Sequence, residues 1–105
     1  MFSKTVFYED DEFQLRFEYV DGMLFLHCVV YKPSKAAYKK GMALLERAKD
    51  MAHFFGEESL FTYTDNKTMA RLTHAELISY VVDSKGKSYG VYKWGLEQRY
   101  ISSQQ

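Results

Sequence analysis

The dipeptide Asp21-Gly22, set between two runs of alternating apolar residues, constrains this chain more than any other feature. A two-residue type I′ turn needs positive φ at both central positions, and Asp-Gly is among the few pairs that supply it. Segments 13–20 and 23–31 therefore predict a hairpin with Val20 opposite Met23. In that register Phe13, Leu15, Phe17 and Tyr19 share a face with Leu24, Leu26, Cys28 and Val30, one wholly apolar side and hence the expected core side. The other side carries Gln14, Arg16 and Glu18 beside Phe25, His27 and Val29. The second strand is apolar on both faces, which predicts a place in the interior of a sheet.

The flanking segments supply the rest of an α+β pattern. Residues 4–8 read as a first strand, and Glu9-Asp10-Asp11-Glu12 as a solvated turn, because four like charges resist burial. Pro33 fits a helix start and Ser34 an N-cap; Ala37, Gly41, Leu44, Leu45, Ala48, Ala52 and Phe55 recur at helical spacing, and Gly56 is a good residue to end on. Lys35, Lys39, Lys40, Glu46, Lys49 and Asp50 fall on the outer face of that helix. Residues 59–64 read as a strand, and Asp65 or Asn66 caps a second helix to about Leu77, with Met69 and Leu72, and Thr73 or Glu76, on its inner stripe. Residues 78–83 and 88–96 form a closing hairpin around Ser84-Lys85-Gly86-Lys87. The order β-β-β-α-β-α-β-β predicts one domain over residues 1–105, a mixed, twisted sheet with two packed helices, and a frayed tail at 102–105.

Composition narrows the function classes. Fourteen Lys+Arg balance fourteen Asp+Glu, which removes the long-range positive field needed for non-specific nucleic-acid or anionic-membrane binding and lowers repulsion between copies. The single cysteine, Cys28, forms no intrachain disulfide and points to a reducing compartment; without a signal-peptide pattern or a long apolar run, the expected location is the cytoplasm. His27, His53 and His74 lack paired metal-ligand spacing, so no metal is expected. Strand alternation sends His27 and Cys28 to opposite faces, which argues against a cysteine nucleophile. Tyr89, Tyr92, Trp94 and Tyr100, in a neutral chain, suit core and interface packing better than base stacking.

The succession of strand, lysine-rich helix, strand and Asn-capped helix over residues 32–77, fed by one hairpin and closed by another, resembles the cofactor-binding half of GNAT acetyltransferases. In that family a loop and helix N-terminus after a central strand hold the pyrophosphate of acetyl-coenzyme A through a pattern of Arg or Gln, two residues, Gly, one residue, then Gly or Ala. Here Tyr38-Lys39-Lys40-Gly41-Met42-Ala43 retains the Gly and the Ala, with Tyr38 in place of the Arg or Gln. Asn66 is similar to the Asn that opens the family's next helix, Thr73 stands where its tyrosine general acid falls, and Leu77-Ile78 where its Gly-Phe falls. The resemblance implies cofactor contacts at Ser34, Lys35, Lys39, Lys40, Gly41, Ala43 and Asn66, and a catalytic base at Glu18 or His27. Each has a plainer alternative: Gly41 as a packing glycine, Asn66 as a helix cap, and Glu18 with His27 as a surface charge pair beside a half-buried histidine.

Truncated GNAT-like proteins of this size are familiar from bacteriophage genomes, so the resemblance implies a phage origin and a modulator of a host protein. Two readings follow. The first is a binding protein that keeps the fold but not the reaction and engages another protein or a second copy. The second is an acetyl-coenzyme A-dependent N-acetyltransferase with a degenerate site. With the family's N-terminal helices absent, Phe25, His27 and Val29 are expected to form an under-covered patch that a partner or a dimer mate protects. Alternatively, Trp94, Tyr92 and the C-terminal segment fold back over it.

Overall fold

A computed structural model describes residues 4–96. Its elements are β1 (Lys4–Glu9), β2 (Phe13–Val20), β3 (Met23–Val30), α1 (Lys35–Phe54), β4 (Ser59–Thr64), α2 (Lys67–Leu72), β5 (Glu76–Val82) and β6 (Ser88–Gly95). The expectations for Tyr100 and the 102–105 tail lie outside the described residues. The strands form one sheet in the order β1-β2-β3-β4-β6-β5. Every neighbouring pair is antiparallel except β3 and β4.

The hairpin turns at Asp21-Gly22, with φ of 51° and 79°, and pairs Val20 with Met23. The resulting apolar face meets α1 in a core of Phe13, Leu15, Phe17, Leu24 and Leu26 against Leu44, Leu45, Ala48 and Ala52, joined by Leu60, Trp94 and Leu96. That core stops short of the ends of the strands: Tyr19 and Val30 are exposed, as is Phe55. The helix opens where Ser34 Oγ accepts a hydrogen bond from the Ala37 amide. It closes in a Schellman motif, with the Glu57 amide on the Ala52 carbonyl, the Gly56 amide on that of His53, and φ of 91° at Gly56.

Four expectations need correction. The second helix ends at Leu72 rather than Leu77, because His74 adopts φ of 60° and the Ala75 amide reaches back to the Ala70 carbonyl. Of the expected inner stripe Thr73 is buried and Met69 half-buried, with Ala70 joining them, while Leu72 is half-exposed and Glu76 already belongs to β5. Lys49 is not on a solvated face: its side chain is 12 % exposed and its ammonium lies 5.6 Å from the centre of the Trp94 ring. The acidic turn is more than solvated, since Asp10 and Glu12 both grip Lys40 at 2.6 and 2.7 Å.

The expected patch is also overturned. Phe25 is buried, packed by the rings of Phe61, Tyr63 and His27, and only Val29 of the three stays exposed. Trp94 does not fold over that side; it shares the helix face with its register partner Leu60, and its indole N–H donates to the Thr73 carbonyl at 3.0 Å. The exposed apolar surface concentrates on β5 instead, where all seven residues are exposed.

Candidate functional site

β3 and β4 share a single register pair, Phe25 with Phe61. Beside it the Thr62 hydroxyl donates to the Leu26 carbonyl at 2.8 Å, a side chain standing in for a ladder bond. Parallel strands that part in this way leave room at their carboxyl ends, where open sheets ordinarily take ligands. Both helices begin there, and a groove of about 490 Å³ opens between them, lined by Cys28 and Val30 of β3, Ser34 and Gly41 of the α1 side, Asn66, Met69 and Thr73 of the α2 side, and Trp94. Three of its polar side chains are committed locally. Ser34 and Asn66 each accept from an amide of their own helix, and the Thr73 hydroxyl lies 3.0 Å from the carbonyls of Met69 and Ala70. The walls also desolvate Cys28 and push its thiol up, so it stays protonated and weakly nucleophilic at neutral pH.

Of the residues implied as cofactor contacts, Ser34, Gly41 and Asn66 line this groove. Lys35, Lys39 and Ala43 are exposed outside it. Lys40 is turned away to Asp10 and Glu12. Gly41 lies inside an unbroken 20-residue helix. An amide there is used by the helix, so the pyrophosphate cradle of the family has no counterpart at this glycine. Close packing does not require the glycine either: a Cβ at position 41 would meet only the Phe13 ring, at 3.9 Å. Thr73, at the place of the family's tyrosine acid, is a buried hydroxyl facing its own helix.

Glu18 and His27 do come together, with Oε1 and Nε2 2.7 Å apart. They lie on the sheet face away from the helices, on the far side from Cys28 and the groove. His27 is 9 % exposed, stacked on Phe25 and met edge-on by Tyr63 at 5.3 Å. A carboxylate on one ring nitrogen fixes the orientation of the imidazole and leaves the other nitrogen for solvent or a ligand. Arg16, the register partner of His27, has its Nε buried without a hydrogen-bond partner among the described residues. The two parts implied for a transferase, cofactor contacts and base, thus sit on opposite faces.

No family model, curated protein or solved structure matches this chain. Among the described residues, no three His, Cys, Asp or Glu side chains gather as a metal site, and no helix is long and apolar enough to cross a membrane. Sequence reasoning missed two features of the site. One is Cys28 as a groove wall, which follows from β4 leaving β3 just before it and has no local signature. The other is the exposure of β5, whose run Leu77-Ile78-Ser79-Tyr80-Val81-Val82 reads as ordinary strand and gives no sign that nothing among the described residues covers it.

Proposed function

We propose that this protein is a GNAT-like scaffold that works by binding another protein chain through its closing hairpin, in the cytoplasm and without acetyl transfer. The observation that carries this reading is β5: a sheet-edge strand on which Leu77, Ile78, Tyr80, Val81 and Val82 are 41–64 % exposed. Soluble domains ordinarily blunt such an edge with lysine, proline or a covering element, and an edge uncharged from Leu77 to Val82 is a template for a partner strand. The resemblance to truncated phage proteins points toward a partner in the host or a second copy. The committed helix amides around Gly41, the inward Thr73 and the separation of Glu18 and His27 from the groove support binding over catalysis.

The second reading keeps the reaction, an acetyl-coenzyme A-dependent N-acetyltransferase, and the parting of β3 from β4 favours it. The residues around Gly41 do not fit the pyrophosphate, so an anion is left only the first turn of α1, around Ser34 to Lys40, where Lys35 and Lys39 stand free of ion pairs among the described residues.

One experiment separates the readings. A photo-crosslinking amino acid replaces Tyr80 and the protein is irradiated in host extract, alongside calorimetric titration with acetyl-coenzyme A. A discrete protein adduct, lost when Val82→Glu is added, is expected. Absence of any adduct together with micromolar acetyl-coenzyme A binding, abolished by Lys35→Glu/Lys39→Glu, would overturn the proposal in favour of the enzyme.

A further inference from the structure

Resting on the hairpin-binding reading, we infer that the partner of β5 is the β5 strand of a second copy, paired antiparallel about a two-fold axis to make one continuous sheet. The edge itself limits the occupant. Among the described residues β5 pairs with β6 on one side only, so the backbone groups on its free side, left to water in a lone chain, match the spacing of an added extended strand.

Charge selects which strand and which direction. Residues 77–82 carry no charge, and the strand is flanked by Glu76 at its start and by the turn Ser84-Lys85-Gly86-Lys87 at its end. In that turn Asp83 is occupied, accepting the amides of Lys85 and Lys87 at 2.9 Å, and Lys87 is tied to Asp65 at 2.8 Å. The ammonium of Lys85 has no ion partner among the described residues. Glu76 has none either, although Lys93 is its register partner on β6. Antiparallel self-pairing centred between Tyr80 and Val81 brings Glu76 of each copy beside Lys85 of the other, two complementary contacts generated by one axis. Parallel pairing would set Glu76 against Glu76. A two-fold contact must be self-complementary, and this edge is: apolar in the middle, with opposite charges at its two ends.

Sedimentation equilibrium at micromolar concentration tests the pairing. The wild-type chain is expected as a dimer. Val81→Lys, which places a charge on an already exposed edge position, is expected to give a monomer with an unchanged circular dichroism spectrum. Glu76→Lys and Lys85→Glu should each weaken dimerisation about tenfold or more, and an equimolar mixture of the two should restore it, because each variant then supplies what the other lacks. Since Glu76→Lys also confronts Lys93 of its own chain, recovery in the mixture is the deciding result. A wild-type monomer, a dimer untouched by Val81→Lys, or a mixture no tighter than its components would overturn the inference. The wider reading fails separately, when a cross-linker at position 80 captures neither this chain nor any other.

Discussion

Gly41 stands mid-helix where the resemblance suggested a phosphate loop, and its surroundings assign it no task a larger residue would spoil. Glycine costs helix interiors conformational entropy, and the space beside it is an ordinary contact with Phe13. Gly41→Ala should therefore stabilise the protein by about 0.5–1 kcal/mol, read as a higher urea midpoint at constant slope; a loss of stability would mean that α1 rests closer to Phe13 than this. Lys40 behaves oppositely. It is expected on a solvated helix face, yet hydrogen bonds from Lys40 and then Tyr8 hold the Asp10 carboxyl far below its ordinary 3.8, and Asp10 and Glu12 raise Lys40 above its ordinary 10.5. A depressed carboxylate contributes stability that is complete above its unfolded pKa and is lost as pH falls through the folded one. A raised lysine contributes below its unfolded pKa and loses that contribution as pH climbs through the folded one. The clamp is at full strength between roughly pH 4 and pH 10. Lys40→Met should lower stability at pH 7 and shrink the drop between pH 7 and pH 2; a variant with an undiminished drop would assign acid sensitivity to other carboxylates. Nothing in the sequence near Lys40 announces a partner thirty residues away.

Among the elements, those with a strong local signal were legible and those ended by an unusual conformation were not. The Asp21-Gly22 turn, the alternation on both sides of it and the cap at Ser34 place β2, β3 and α1 within a residue of where they lie. The second helix ends five residues before its sequence pattern predicts because its stop is His74 in the left-handed region, a place where glycine is the expected signal. Removing the Cβ should relieve that conformation: His74→Gly is expected to raise the melting temperature, by up to about 1 kcal/mol of stability. A fall would show that the histidine side chain stabilises the turn by more than its backbone costs. β5 then starts at Glu76, earlier than its apolar run suggests, because the shortened helix releases the chain sooner.

At the scale of the whole molecule, the element order and the single core were readable because each follows from periodicity summed over many residues. The groove was not, because it is made by an absence of pairing between β3 and β4, and pairing between distant strands leaves no mark within either one. The uncovered edge was hidden for a related reason: apolar strands look alike in sequence whether they are flanked on one side or on both. The brief junction of β3 with β4 has a mechanical consequence. Stiffness in a sheet resides in its continuous ladders, and here backbone pairing thins to one register pair and one threonine hydroxyl, the rest of the junction being held by the rings of Phe25, His27, Phe61 and Tyr63 and by the shared core. Flexure concentrates along such a junction. Amides of β3 and β4 that face it are expected to exchange with solvent faster than those inside the β2–β3 and β4–β6 ladders, and α1, whose chain leaves β3 and returns to β4, spans the junction as a brace.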